Sequence, residues 1–209
     1  MRVRRRETPV VSVYQLKPKF QNLLRPLTAA LASAGVTANQ VTVAAALISI
    51  AEGAAIWASN GANWALFLLP PVLLVRMALN AVDGMLAREF AHKSRLGAML
   101  NELGDVISDI ALYLPFAAIA GVSAILVGLV VAIAAATEAA GLAALQIGAP
   151  RRYDGPFGKS DRAVFFSALA LALAAGIEPG RWTSGVLIAG AALGLLTIVR
   201  RVRAALGKP

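Results

Sequence analysis

Residues 80–105 read NAVDGMLAREFAHKSRLGAMLNELGD, and this stretch places charged and amide side chains between two long apolar runs. The runs, residues 63–87 and 96–119, are each close to the ~20 residues with which an α-helix crosses a bilayer. Ionisable side chains are costly in a membrane and are kept there mainly for function. The stretch therefore predicts two membrane helices that share a polar site near one membrane surface.

Composition extends this prediction to the whole chain of 209 residues, which is 58% hydrophobic. Soluble domains are closer to half apolar, whereas the mean hydropathy here is +0.71. Six apolar runs have about spanning length, and the fifth is the shortest: residues 40–59, 63–87, 96–119, 122–147, 163–178 and 183–199. The predicted fold class is an all-α membrane protein with six transmembrane helices in a single domain over residues 13–209.

The basic side chains predict how these helices are oriented. Of the 20 Lys and Arg, Arg76 lies inside a predicted span, Arg181 lies between the last two, and the other 18 fall on one side of a six-span layout. Positive charge collects on the cytoplasmic side of membrane proteins, so both termini are expected in the cytoplasm. The net charge of +9 then reflects topology and contact with anionic membrane lipids, and no nucleic-acid partner is expected.

The N-terminal region is expected to lie on the membrane rather than to cross it. Residues 1–12 form a basic tail without the apolar segment of a signal peptide. Residues 13–35 carry apolar side chains at helical spacing among basic ones, which is typical of an amphipathic helix in the membrane interface. Thr37 or Asn39 is expected to cap the first span.

Helical spacing aligns the polar residues of the opening stretch. Asn80 and Asp83 are three residues apart, so they share a face of the first helix. Gly97, Asn101 and Asp105 step by four along the second helix. A short loop makes the two helices antiparallel neighbours, so these faces are expected to meet. Carboxylate and amide oxygens without His or Cys favour a hard cation, Mg²⁺ or Mn²⁺.

Other residues of the stretch suit a phosphorylated ligand. Gly84 and Gly97 leave room for a bulky group to approach the helix backbone. Arg88 offers a planar guanidinium that matches phosphate oxygens. The alternative interpretation is that the polar residues pair with each other and only fix the register of the helices. Their ordered spacing favours a functional site.

The spacing of these residues resembles the signature of the CDP-alcohol phosphotransferase family, D-x2-D-G-x2-A-R-x8-G-x3-D-x3-D. In this chain the pattern reads Asn80, Asp83, Gly84, Ala87, Arg88, Gly97, Asn101 and Asp105. The six-span layout with an interfacial helix is also similar to that family. The resemblance implies an enzyme of phospholipid biosynthesis that transfers a phosphatidyl group from CDP-diacylglycerol to a polar alcohol, releases CMP, uses divalent metals and forms a homodimer.

The resemblance also implies roles for individual residues. The metal ligands would be Asn80, Asp83, Asn101 and Asp105, and Asp105 would in addition act as the general base. The CMP part of the donor would be bound by Asp83, Gly84, Ala87, Arg88 and Gly97. Asn39 and Thr42, at the start of the first span, resemble a family segment near the nucleotide, although helix capping explains them equally well.

Two positions depart from the family pattern, because Asn80 and Asn101 stand where the family has aspartates. Their neutral amides leave the number of metal ions open. The site either binds one ion, or recruits Glu102 or Asp109, or belongs to a non-catalytic scaffold that binds CDP-lipid. An active enzyme is favoured, because the predicted base Asp105 and the other motif residues remain.

A basic loop lies on the same predicted side of the membrane as the motif. Arg151, Arg152, Lys159 and Arg162 fall within it. Fixed cations beside a metal site suit an alcohol that carries a phosphate, so these four residues are predicted to bind the acceptor phosphate. The alternative is that they only anchor the loop in the cytoplasm.

The remaining polar residues within spans suggest two further possibilities. Glu52 and Glu138 are expected either to pair with Arg76 inside the bundle or to approach the site. A transporter is a third functional class, since carboxylates within the membrane also mark ion pathways, but here the acidic residues collect on one side. The expected location is the inner (cytoplasmic) membrane, with the active site in its cytoplasmic half.

Overall fold

The computed structural model describes residues 16–207. Within this range the fold is all-α, without any strand, and the predicted basic tail at residues 1–12 lies outside the described residues. The helices are α1 Leu16–Ser33, α2 Ala38–Ala58, α3 Asn63–Glu89, α4 Arg95–Tyr113, α5 Ala124–Ala143, α6 Lys159–Ala174 and α7 Arg181–Ala205. Short 3-10 segments continue α4 through Leu114–Ala118 and α5 through Ala144–Ile147.

Local sequence determines where the helices of the site begin. Thr37 caps α2 in a capping box: its Oγ1 accepts from the Gln40 backbone N–H at 3.3 Å, and the Gln40 Oε1 accepts from the Thr37 N–H at 2.8 Å. Ser94 caps α4, and its Oγ accepts from the Gly97 N–H at 2.9 Å. Such caps satisfy N–H groups that the start of a helix leaves unpaired. The predicted cap at Thr37 is confirmed.

Four helices are long and apolar enough to cross a membrane: α2, α3, α5 with its 3-10 continuation, and α7. The six-span prediction also included α4 and α6. Helix α4 contains the carboxylates of Glu102, Asp105 and Asp109, and α6 has only 16 residues. Length and hydropathy therefore support four candidate spans among the described residues.

Helix α1 has one apolar face against the bundle and another that is exposed. Leu23 is 75% exposed, whereas Leu24 and Leu31 pack against a small core formed by α2 and α3. Arg25 pairs with Glu89 at the end of α3, at 2.7 Å. The helix thus has the amphipathic character expected for residues 13–35, and its location in the membrane interface stays a prediction.

Close packing holds the site helices together. A Cβ on Gly53 of α2 would lie 1.9 Å from the Ala111 carbonyl oxygen of α4, so only glycine allows these backbones to touch. Helix α3 packs on both α2 and α6, and α5 packs on α7. Tyr113 stacks on Phe166 with ring centroids 4.0 Å apart, and Phe116 meets the same ring edge-on at 5.3 Å. This aromatic core joins α4 to α6 about one helical turn beyond the polar residues of α4.

Candidate active site

Asp83 lies on the face of α3 that packs against α2. It is 5% exposed, and its Oδ2 accepts a hydrogen bond from Thr42 Oγ1 at 2.8 Å. Burying a carboxylate without such partners would be costly. A Cβ on Gly104 of α4, the residue before Asp105, would lie 3.7 Å from Thr42 Cγ2, and Lys159 of α6 forms an ion pair with Asp105. Helices α2, α3, α4 and α6 therefore contribute to one polar site.

We use the term motif site for Asn80, Asp83, Asn101 and Asp105. The Nδ2 atom of Asn80 is buried and has no hydrogen-bond partner among the described residues. Unpaired buried amides are uncommon in folded proteins, so this atom indicates a position that a ligand completes. Asn101 and Asp105 line a cavity of about 320 Å³. The α4 half of the motif site thus borders a space that a ligand can enter, whereas Asn80 and Asp83 of α3 do not line this cavity.

Asp105 is held by two cationic side chains. Lys159, the first residue of α6, forms an ion pair through its Nζ with Asp105 Oδ1. Arg76 donates from Nη2 to the Asp105 carbonyl oxygen at 3.1 Å and lies 3.7 Å from the carboxylate. The Asp105 side chain keeps 20% of its surface exposed. The predicted general base is therefore oriented and still reachable from the cavity.

A second group of charges lies next to the motif site, and we call it the arginine–carboxylate network: Arg76, Asp109, Glu138, Arg162 and Arg201. Asp109 lies between Arg76 Nη1 at 2.7 Å and Arg162 Nε at 2.8 Å. Glu138 accepts from Arg162 Nη2 at 2.9 Å and lies 3.5 Å from Arg201 Nη1. All five side chains are buried, so their opposite charges compensate one another inside the bundle.

The network decides between the two interpretations of the buried glutamates. Arg76 takes Asp109 as its partner rather than Glu52 or Glu138. Glu138 pairs with Arg162 and also lines the cavity. Glu52 is buried, and its Oε1 has no partner among residues 16–207. The expected pairing with Arg76 is therefore wrong, and the approach of Glu138 to the site is confirmed.

The predicted nucleotide-binding residues lie near the turn between α3 and α4. A Cβ on Gly97 would lie 2.6 Å from Asn39 Oδ1, so the α4 backbone and this α2 side chain are in direct contact. A Cβ on Gly84 would lie 3.1 Å from Arg88 Nη1, so Arg88 folds back over Gly84. Arg88 is exposed, whereas Ala87 packs against the small core of α2 and α3. A charged group at this turn is thus available to a ligand.

The structure separates the four cations predicted to bind an acceptor phosphate. Arg151 and Lys159 line the cavity of about 320 Å³. Arg152 lines a different cavity, of about 700 Å³, and pairs with Asp154 at 2.8 and 3.0 Å. Arg162 is 1% exposed and belongs to the arginine–carboxylate network. Only two of the four therefore border the cavity that contains Asp105.

Arg201 is a site residue that the sequence analysis missed. It is 2% exposed and lines the cavity beside Glu138. The positive-inside rule had grouped it with the cytoplasmic tail. However, Arg201 continues a buried face of α7 that includes Gly190, Gly194 and Thr197, at helical spacing. That spacing was a signal from which its inward position could have been predicted.

The loop between α5 and α6 forms a fixed wall of the cavity. Thr197 Oγ1 of α7 accepts from the Phe157 backbone N–H at 2.9 Å. Gly155, at φ +116°, lies so close to α7 that a Cβ would be 2.7 Å from the Thr197 Cα. Arg151, earlier in this loop, pairs with Glu102 of α4. The cations on this loop are therefore held in place relative to α4 and α7.

The motif site has the chemistry to hold a hard divalent cation. Among residues 16–207, no three Asp, Glu, His or Cys side chains gather as a metal-binding group. The available ligands are the carboxylates of Asp83 and Asp105 with the amide oxygens of Asn80 and Asn101. An all-oxygen set of this kind fits Mg²⁺ or Mn²⁺.

Comparison with known proteins identifies relatives of this chain. Residues 35–199 match the family described as CDP-alcohol phosphatidyltransferase. The chain is 47% identical to the inner membrane protein YnbA of Escherichia coli (strain K12), over 94% of this chain and 97% of that protein. It is 32% identical to the archaetidylinositol phosphate synthase of Pyrococcus horikoshii, over 46% of this chain and 48% of that enzyme.

Two crystal structures of the Mycobacterium tuberculosis phosphatidylinositol phosphate synthase (PgsA1) share the fold. One has CDP-DAG bound and matches with a TM-score of 0.72 at 21% identity, over 88% of this chain and 94% of that chain. The other, in complex with manganese and citrate, also has a TM-score of 0.72 at 21% identity, over 88% of this chain and 89% of that one.

Proposed function

The chain belongs to the CDP-alcohol phosphatidyltransferase family and is a multi-pass membrane enzyme of that class; we propose that it transfers a phosphatidyl group from CDP-diacylglycerol to a polar, phosphorylated alcohol and releases CMP. The observation that carries this proposal is the single cavity lined by Asp105, Arg151 and Arg201. A proton acceptor and two cations suited to phosphate thereby share one space. The M. tuberculosis structure with CDP-DAG bound supports the donor. The similarity to an archaetidylinositol phosphate synthase supports the reaction class.

The donor nucleotide would bind at the turn between α3 and α4. Arg88 is exposed there and would pair with the diphosphate. Gly97 lets the Asn39 side chain lie against the α4 backbone, and Gly84 lets Arg88 fold over α3, so Asn39 and Arg88 would be the groups at these glycines that contact the CMP part. The remaining contacts of the proposed nucleotide site would come from Thr42, Asp83 and Ala87.

The motif site would hold one or two Mg²⁺ or Mn²⁺ ions through Asn80, Asp83, Asn101 and Asp105. A divalent cation bound there neutralises charge on the diphosphate and on the departing CMP. Thr42 fixes one of the ligands by its hydrogen bond to Asp83, at 2.8 Å. In other metal sites, groups that hydrogen-bond to a metal ligand orient that ligand in the same way.

Asp105 would act as the general base. Its carboxylate takes the proton of the acceptor hydroxyl while the acceptor oxygen bonds to the phosphorus that carries the diacylglycerol. The bond from that phosphorus to the CMP oxygen breaks, and CMP leaves with the electron pair. Arg76 and Lys159 hold Asp105 in position for this step.

The acceptor phosphate would be bound by the cations of the cavity. Arg151 and Lys159 come from the loop between α5 and α6 and from the start of α6, and Arg201 comes from α7. Each guanidinium has several N–H donors and each ammonium has three, so their present carboxylate partners leave donors for a phosphate. A phosphorylated acceptor would therefore place its hydroxyl beside Asp105.

In the membrane, α4 and α6 would be the third and fifth of six spans, with α1 in the interface. The charges of α4 do not exclude this, because Asp109 is paired with Arg76 and Arg162 and not exposed to lipid. The positive-inside rule supports a topology in which both termini and the motif site would lie at the cytoplasmic face of the inner membrane. Gly190 and Gly194 serve close packing inside the bundle, where an added Cβ would lie 2.8 Å from Phe165 and 2.4 Å from Ile133. We propose a homodimer because the resemblance to the family implies one.

The experiment that tests the proposed function uses purified protein in lipid nanodiscs with CDP-diacylglycerol and Mg²⁺ or Mn²⁺. A panel of alcohols, with and without a phosphate, is added, and CMP and the mass of the lipid product are measured. We expect metal-dependent CMP release with glycerol phosphate or inositol phosphate. Equal rates with serine-like acceptors would contradict a phosphorylated acceptor.

A non-catalytic scaffold that binds CDP-lipid is the second candidate, and the neutral side chains of Asn80 and Asn101 favour it. The same assay separates the two functions. Binding of CDP-diacylglycerol without CMP release, for every acceptor and both metals, would replace the enzyme by the scaffold.

A further inference from the structure

The motif site carries little negative charge for a site that faces a diphosphate and a metal. Asn80 and Asn101 are neutral, so its only charged members are Asp83 and Asp105. One divalent cation compensates these two carboxylates completely. A second divalent cation at the same place would lack anions of its own from the motif.

Neighbouring carboxylates do not supply the missing charge. Glu102 is paired with Arg151. Asp109 lies between Arg76 and Arg162, at 2.7 Å from each. Recruiting Asp109 to a metal would break two buried ion pairs. Recruiting Glu102 would break its partly buried ion pair with Arg151. The sequence left Glu102 and Asp109 open as additional metal ligands, and in the structure both are paired with arginines.

One cation already lies within the motif site. Lys159 Nζ contacts the Asp105 carboxylate, and the Lys159 side chain is 26% exposed. A positive charge from the protein thus lies directly on one of the two remaining carboxylates.

The position of Lys159 is fixed by the start of α6. Phe157, two residues earlier, is buried, and its N–H donates to Thr197 Oγ1 at 2.9 Å. Its carbonyl oxygen accepts from Arg162 Nη1 at 3.0 Å. Lys159 therefore extends from an anchored segment, and its ammonium is a built part of the site.

We infer that Lys159 takes the place of a second metal ion, so that the motif site binds a single divalent cation with the ammonium held on Asp105 as its other positive charge. This inference rests on the proposed function and specifies the form of its metal site. Because charges of the same sign repel strongly at contact distances, an ammonium on Asp105 disfavours another divalent cation beside that carboxylate. The asparagines and the lysine thus form one arrangement, in which fewer anions are matched by fewer metal ions.

The first test counts bound Mn²⁺ per chain by electron paramagnetic resonance on the wild-type protein in nanodiscs. The expected result is one bound ion per chain. Two ions bound to the wild type would overturn the inference. This count requires no variant, so it stands even where a substitution prevents folding.

The second test introduces aspartates at the two asparagine positions of the motif site, once with Lys159 present and once without it. The variant Asn80→Asp/Asn101→Asp keeps Lys159 and is expected to bind one Mn²⁺ per chain. Adding Lys159→Met, which keeps the length of the side chain without its charge, is expected to raise the count to two. Two ions in the first variant, or one in the folded second variant, would remove Lys159 from this role. Lys93→Met, in the exposed turn before α4, is the control and is expected to keep one ion.

These outcomes are distinct from failure of the proposed function. Two Mn²⁺ ions in a wild-type protein that releases CMP would overturn only the role of Lys159. Absence of CMP release with every acceptor would instead overturn the proposed transferase, whatever the metal count.

Discussion

The arginine–carboxylate network and the motif site share helix α4, but they differ in how far their charges are paired and buried. In the network, Asp109 lies 2.7 Å from two guanidinium groups, and each of its members is buried. In the motif site, Asp105 keeps 20% of its side chain exposed and borders a cavity. The two aspartates are four residues apart, so they lie on one face of the same helix.

This difference distinguishes the buried charges that stabilise the bundle from those that remain available for binding and catalysis. Asp109, with a guanidinium on either side, fixes the positions of helices and has no remaining capacity for a ligand. Glu138 and Arg201 belong to the same network but also line the cavity. The amide of Asn80, by contrast, has an unpaired buried atom within the described structure. We therefore expect substitutions at the fully paired residues Asp109 and Arg162 to act on stability and substitutions in the motif site to act on turnover.

The largest expected effect is that of Asp105→Asn on CMP release. The amide keeps the size of the side chain but accepts no proton at neutral pH, so loss of general base catalysis should slow turnover about 100- to 10,000-fold. Initial rates of CMP release at saturating CDP-diacylglycerol would measure this. Glu178→Gln, in the exposed turn before α7, is the matched control and should keep the wild-type rate. A rate within a few-fold of wild type for Asp105→Asn would remove the base assignment.

The next effect is on stability, in the network. Arg162→Met leaves Asp109 and Glu138 each with one partner fewer, and breaking a buried ion pair from one side costs about 3–5 kcal/mol. Thermal denaturation in a fixed detergent should show a clear loss of stability. Arg25→Met breaks the exposed pair with Glu89, which contributes less than about 1 kcal/mol. Similar denaturation temperatures for the two variants would contradict a stabilising network.

Much of the motif site was predictable because helical spacing is a local property. The steps from Gly97 through Asn101 to Asp105 placed these residues on one face, and cavity lining confirms this face for Asn101 and Asp105. The number of membrane-spanning helices was harder to predict from the sequence. Hydropathy alone gave six spans, whereas the three carboxylates of α4 and the 16 residues of α6 leave four helices that qualify by length and composition.

The partners of the arginines depended on tertiary structure. Arg151 and Arg152 are neighbours in the sequence, yet they line different cavities. Charge counting assigned Arg201 only to the cytoplasmic side, although its spacing from Thr197 continues a buried face. Positive-inside reasoning identifies the side of the membrane, and it does not tell which cations turn inward.

A smaller effect is expected for Thr42→Val, which removes the hydroxyl that orients Asp83. Loss of a partner behind a metal ligand typically lowers metal affinity or activity about 10- to 100-fold. The Mn²⁺ concentration for half-maximal CMP release would therefore rise. Ser49→Ala is the control on the same helix, since its hydroxyl bonds only to the Ala45 carbonyl oxygen, at 2.7 Å. Equal metal dependence of the two variants would show that Thr42 does not support the site.

The smallest effect concerns the acceptor and compares two adjacent arginines. Arg151→Gln removes a cation from the cavity that contains Asp105, so the KM for a phosphorylated acceptor should rise about 10-fold, as for loss of one hydrogen bond to a charged group. The KM for CDP-diacylglycerol should stay unchanged. Arg152→Gln removes the same charge from the same loop but lies on the other cavity, so it should change neither KM. If Arg152→Gln instead raised the acceptor KM as much as Arg151→Gln, the loop would attract the acceptor through its overall charge. The phosphate would then not be bound at a defined position beside the base.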